Sequence, residues 1–219
     1  GVNTALQLAN YPPTLAKREF NIEVERTIRE LNGEQCIAWD EAKADQKQIF
    51  STRSMTDRIT DKDSLTQALC KHLGIAAQKA RQQGSLCGVM IIFAHNSPYD
   101  ERPSGFKQSH QFAYPTADTH LMSKAVTQVV DQWFQAGTRY YKVGIGLLDL
   151  SAAKNKQEDL FAPVANSALM NIYDQLNNKY GRDAVFVAAQ GIAPKWGMRR
   201  DRLTPQYTTK WSDLPKIKC

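Results

Sequence analysis

Between residues 47 and 152 the spacing of apolar residues switches repeatedly between the strand period and the helix period, and this restricts the fold more than any other feature of the chain. KQIFSTRS (47–54) carries β-type residues with weak alternation and reads as a first strand. Asp63 is placed to cap a helix running to about Gln83. Its Leu65, Leu69, Leu73, Ala76, Ala77 and Ala80 form one apolar stripe, and Gly84 ends it. CGVMIIFA (87–94) is an apolar run of strand length. A loop rich in Pro, Gly and charge (95–108) leads to a short strand, SHQFAYP (109–115). Asp118 caps a second helix, in which Met122, Ala125, Val126, Val129, Val130, Trp133 and Phe134 recur at three and four before Gly137. YYKVGIGLLDL (140–150) is the last strand, with Tyr141, Val143, Ile145 and Leu147 on one face by the period-two rule.

The order β-α-β-β-α-β predicts an α+β, ferredoxin-like layout: a four-stranded sheet with both helices on one face. The other face is then uncovered, and Gly144 and Gly146 point toward it. Glycine weakens a strand. Either another backbone approaches closely there, or the strand bends or bulges. Outside this block, residues 3–10 read as a short helix stopped by Pro12–Pro13. In FNIEVERTIRELNG, Phe20, Val24, Ile28 and Leu31 fall at helical spacing, and Asp40–Gln46 reads as a linker. Residues 151–159 are polar and loop-like. NSALMNIYDQLNNKYG (166–181) is helical, with Leu169, Ile172, Tyr173 and Leu176 on one face, and AVFVAA (184–189) reads as a short strand. The end of the chain is basic, with Trp196, Tyr207 and Trp211 interleaved.

The net charge of +6 is unevenly placed. Residues 165–219 hold nine Lys or Arg against four Asp, a surplus of +5, and the rest is close to neutral. A basic end suits a polyanion or an acidic protein, or serves solubility alone. Cys36, Cys70, Cys87 and Cys219 form no CxxC pair and suit a reducing cytoplasm, and the four histidines lack metal-ligand spacing. No apolar run has transmembrane length, the first residues lack the pattern of a secretion signal, and the absence of an initiator Met points to a piece of a longer chain.

No catalytic constellation stands out. Asp61 and Asp63 lie at a helix start, where carboxylates satisfy free N–H groups, so capping outweighs metal binding. The first strand carries Ser51, Thr52, Arg53 and Ser54, followed by Arg58, and these are donor types that contact phosphate. On composition alone an ordinary exposed strand is the better reading of these residues. His110, Phe112 and Tyr114 alternate as base-stacking rings do in RRM-type single-stranded RNA binders, although the Gly-aromatic pattern of RNP1 is missing. A purely structural protein–protein module is the third reading. In NKQEDLFAP (155–163), Leu160 and Phe161 stand bare in polar surroundings, so they fill either the chain's own core or a partner's pocket.

KQIFSTRSMTDRIT, NSPY, YPTADT and WFQAGTRYYKVGIGLLDL resemble, in order and spacing, the C-terminal region of the UmuC family, catalytic subunits of the Y-family translesion polymerase DNA polymerase V. ERTIRELNGEQC resembles the end of the thumb in that family. AAQGI, the run Trp196–Arg200 and LTPQYTT resemble its tail. The resemblance implies a thumb remnant at 1–35, a tether at 36–46, a little finger at 47–152 with its sheet against DNA, a linker at 153–164 and a basic tail at 165–219. On that basis Ser51, Arg53 and Ser54 map to the strand that tracks the phosphate backbone. Lys142, on the same face as Gly144, adds charge, and Arg58, Lys107 and Arg139 complete the set of candidate DNA contacts. Gln157, Asp159, Leu160 and Phe161 resemble the Q-x-[SD]-L-F peptide that docks on the β sliding clamp, with Glu158 where the stronger form has Leu. DNA, the clamp, a UmuD′ dimer and a RecA filament are the implied partners, in SOS mutagenesis and DNA repair. Palm and fingers precede such a segment in the family. By this resemblance the segment itself is neither catalytic nor cofactor-binding, while a full-length parent transfers nucleotides by a two-metal, Mg-dependent mechanism.

Overall fold

Thr4, Asn21, Asp61, Asp118 and Asn166 each stand immediately before a helix, and in every case a side-chain oxygen accepts a hydrogen bond from a first-turn N–H. The structure is a computed structural model and describes residues 1–38, 44–155, 166–192, 196–197 and 204–215. The chain divides into two compact units, 1–45 and 46–219.

Among its described residues the first unit holds three helices: α1 (Ala5–Ala9), α2 (Pro13–Glu19) and α3 (Ile22–Leu31). Pro13 does not simply stop α1. It opens α2, where a missing N–H costs nothing because first-turn donors have no helical acceptor. Phe20 lies outside α3 and is exposed, as is Leu31, so Ile28 and Ala16 supply the buried apolar contact. The Asn32 amide donates to both Ala9 O and Ile28 O at 2.8 Å, tying α1 to α3.

The second unit contains β1 (Ile49–Ile59), α4 (Lys62–Gln82), β2 (Ser85–His95), β3 (Gly105–Thr116), α5 (Thr119–Trp133), β4 (Tyr140–Ala152) and α6 (Ser167–Tyr180). The four strands form one antiparallel sheet in the order β1-β4-β2-β3. The two strands joined by α4 are separated by β4, and the two joined by α5 are separated by β2. The expected α+β layout therefore holds, with α4 and α5 packed together on one face. The core lies between them: Leu65, Leu69 and Leu73 from α4 and Met122, Val126 and Val130 from α5 meet Met90, Ile92, Val143, Ile145 and Leu147 from the central strands. Cys70 and Cys87 are buried here, and burial pushes their thiols up to about 12 and about 11, so both behave as small apolar fillers.

Several local expectations shift. Asp61, not Asp63, caps α4, accepting from the Ser64 N–H at 2.8 Å. β1 runs on to Ile59, because its register slips after Ser54 and Ile59 regains a partner in Tyr140. β3 begins at Gly105 rather than 109, since main-chain pairing with β2 is indifferent to the polar side chains there. Tyr140, not Tyr141, enters the core. Its hydroxyl accepts from the Gln135 N–H at 3.0 Å, while Tyr141 stays exposed beneath the Arg58 guanidinium, 5.8 Å from the ring centre.

Residues 184–189 form no strand. The Asn177 side-chain amide takes both main-chain groups of Val185, donating to its carbonyl at 2.9 Å and accepting from its N–H at 3.0 Å. A single-turn 3₁₀ helix follows at Ala188–Gln190. Of the stripe expected on α6, Leu169 and Ile172 face solvent and Tyr173 and Leu176 are half-buried, while Met170, outside that stripe, is the buried residue. Among the described residues no helix is long and apolar enough to cross a membrane.

Candidate nucleic-acid interface

Directly opposed residues on antiparallel strands share a face, so the register sorts the sheet. Ile49, Ser51 and Met55 on β1 are buried on the helix side. Phe50, Thr52 and Ser54 therefore lie on the other side. They stand opposite Gly146, Gly144 and Lys142 of β4, which in turn oppose Ile91, Phe93 and His95 of β2. Lys107 of β3 stands opposite Phe93, and Ser109 opposite Ile91. None of these positions is acidic. Lys107 is exposed and Lys142 half-buried, and neither makes an ion pair among the described residues.

Four of the residues assigned to DNA by resemblance thus come together on the open face: Ser54, Lys107, Lys142 and Gly144. Ser51 and Arg53 lie on the helix face. Ser51 is buried, with its hydroxyl 2.9 Å from Nδ1 of His72, and is spent on that contact. Arg53 shares the face of Ser51 and lies close enough to His72 to lower its pKa. Arg58 is engaged by Asp100, whose carboxyl it holds below the usual carboxylate range. Arg139 is exposed just before β4 and adds its charge near Asp100. Gln157, Asp159, Leu160 and Phe161 lie outside the described residues.

The glycines of β4 have a local cause. A Cβ on Gly144 would stand 2.6 Å from the Phe93 ring and 2.7 Å from the Thr52 methyl, and one on Gly146 would stand 2.3 Å from the Phe50 ring. The two rings lie across the strand where side chains would otherwise project. Beside them a groove of about 680 Å³ is lined by Phe50, Ile91, Phe93, His95 and Lys107, among others. Sequence reasoning misses Phe50 and Phe93. In the continuously apolar run 87–94 no alternation reveals which side chains face out, and only pairing with Gly144 does so. The rings considered for base stacking behave differently. His110 stands opposite the buried Met90, and Phe112 packs against the core.

Burial holds His72 neutral. Its pKa falls from 6.5 to about 4 because burial penalises the imidazolium, with Arg53 and Lys71 adding repulsion. Among the described residues its Nε2 has no hydrogen-bond partner. On the far side of α4, Arg81 forks onto Asp174 of α6 at 2.7 and 2.8 Å. It also donates to the Ala117 carbonyl and the Thr119 hydroxyl, both at 2.8 Å. Among the described residues no group of three or more His, Cys, Asp or Glu side chains is placed to hold a metal ion.

Residues 46–160 match the impB/mucB/samB family C-terminal domain, and residues 167–217 match a domain of unknown function, DUF4113. The chain is 38% identical to protein SamB of Salmonella typhimurium over 224 residues, covering 100% of this chain and 53% of that protein. It is 37% identical to protein ImpB of Salmonella typhimurium, covering 98% of this chain and 52% of that protein. It is 34% identical to protein UmuC of the same species, strain LT2, again over 100% of this chain and 53% of that protein. The chain therefore spans about half the length of the curated relatives it matches. With one domain match spanning the whole sheet and similarity running from end to end, the chain belongs to the impB/mucB/samB family.

Proposed function

We propose that this chain is the DNA-gripping and clamp-docking region of a translesion DNA polymerase of the Y family, with no catalysis of its own. The observation that carries the reading is a sheet face, opposite α4 and α5 and covered by no helix among the described residues, that presents Lys107, Lys142 and Ser54 and no carboxylate among its paired positions. Such a face suits a phosphate rail, which is read through charge and hydroxyl donors without regard to sequence. Arg139 lies just before the lysine-bearing end of β4 and lengthens the basic strip. Family membership supports the same reading, as does the resemblance of residues 47–152 to a little finger. The resemblance also brings a UmuD′ dimer and a RecA filament as partners, without assigning residues of this chain to them. Magnesium would belong to the palm of the parent polymerase.

Duplex DNA binding is expected to fall steeply with salt. Lys107→Ala and Lys142→Ala should each weaken it uniformly across sequences and reduce the slope of log affinity against log salt by about 0.9. Fluorescence anisotropy at several salt concentrations measures this, and salt-insensitive binding defeats the reading. For the linker, Leu160 and Phe161 fill an apolar pocket on the sliding clamp while the Gln157 amide finds polar partners. Ordering the segment costs entropy, so the contact is modest and reversible. A Leu160→Ala/Phe161→Ala double variant should lose clamp binding in a titration against purified clamp. Equal binding by both chains removes docking from the proposal.

A further inference from the structure

We propose that Phe50 and Phe93 form a platform on which unpaired bases of single-stranded DNA stack, so that the open face holds a strand by its bases as well as by its phosphates. This rests on reading the face as a nucleic-acid interface. Large aromatic side chains on an uncovered sheet face are costly to leave in water unless something covers them. Phe50 is 47% exposed, although it belongs to a strand whose alternate residues are buried. The β4 glycines remove the side chains that would hold the rings upright. Phe50 lies over Gly146 and Phe93 over Gly144, on adjacent rungs of the ladder. His95 continues the surface, its ring stacked on Phe93 at 18° between planes and 6.1 Å between centres. Lys107 stands opposite Phe93, and Lys142 opposite His95, so cationic groups flank the rings. Flat rings flanked by cations, with no carboxylate among the paired positions, suit an anion that carries its own π faces. That combination describes a single strand, whose bases are free to stack. A duplex would use the lysines and leave the rings idle.

The test uses the whole chain and two strands of equal length and charge, one of thymidines and one with the bases removed. Wild type should bind the base-bearing strand about tenfold more tightly than the abasic one. Phe50→Ala and Phe93→Ala should each erase most of that preference, while Phe50→Tyr and Phe93→Tyr keep it. Lys142→Ala should weaken both strands alike. The strand comparison needs no variant, so it stands even if an alanine variant fails to fold. Equal wild-type affinity for the two strands, with the lysine effect intact, overturns the stacking platform and leaves the phosphate grip standing. No binding to either strand at low salt overturns the platform, and if duplex DNA of the same length is not bound either, the phosphate grip falls with it. Self-association that disappears in Phe50→Ala, with no preference for bases, assigns the face to a protein contact and overturns the platform.

Discussion

Arg81→Ala is expected to lower the stability of the sheet-bearing unit by about 3–5 kcal/mol, the cost of breaking a largely buried ion pair from one side. The Arg81 and Asp174 side chains are only 11% and 16% exposed, so screening by water is limited. Four bonds end on this guanidinium: two on Asp174 of α6, one on the Ala117 carbonyl and one on the Thr119 hydroxyl at the start of α5. Truncation strands all of them, and the Asp174 carboxylate is left without its counter-charge. The loss should appear as a lower urea midpoint and as early proteolytic cleavage of α6. Asp174→Ala alone should cost less, because Arg81 keeps its bonds to residues 117 and 119. The double variant should fall well short of the sum of the two. Strict additivity would mean that the pair does not fasten α6.

Acid should destabilise the same unit through His72. Its pKa is about 4 when folded and 6.5 when free, so the unfolded chain binds more protons between those values. The stabilising contribution is complete above pH 6.5 and is lost as pH falls toward 4. Integrated over that window it amounts to about 3 kcal/mol. Urea midpoints for wild type should fall from pH 7 to pH 4 by more than those of His72→Gln, which cannot titrate. Parallel pH profiles for the two proteins would show that the imidazole does not drive the loss.

Period and capping made most of the sheet unit legible. Leu65, Leu69 and Leu73 announce α4, and Met122, Val126 and Val130 announce α5, because a helix with one buried face has to repeat at three and four. The sheet's strand order was not legible from order alone. Composition marks it: the two apolar runs, 87–94 and 143–148, are the central strands, buried on one side and half-covered on the other, whereas β1 and β3 alternate polar residues at the edges. Strand ends were missed where pairing is main-chain work, as at Gly105–Gln108. The false strand at 184–189 has apolar composition but no neighbouring strand among the described residues, and the Asn177 amide meets the hydrogen-bonding demand of Val185 instead.

The candidate site was half legible. Ser54, Lys107, Lys142 and Gly144 share the open face, but Ser51 does not. Weak alternation in KQIFSTRS left the parity of the strand undecided, and a one-residue error moves every side chain to the opposite face. The glycine reading came closer. Something does approach the strand at Gly144 and Gly146, but it is the chain's own Phe93 and Phe50 rings.

α4 is covered twice. The sheet and α5 bury one flank, and on another Gln190 rests against Gly74, where a Cβ would stand 2.8 Å from its amide nitrogen. A rod enclosed in this way has few routes to solvent short of unfolding the whole unit. Its amide protons should therefore be the slowest in the molecule to trade for deuterium, serving as an internal clock against which the opening of α6 can be timed.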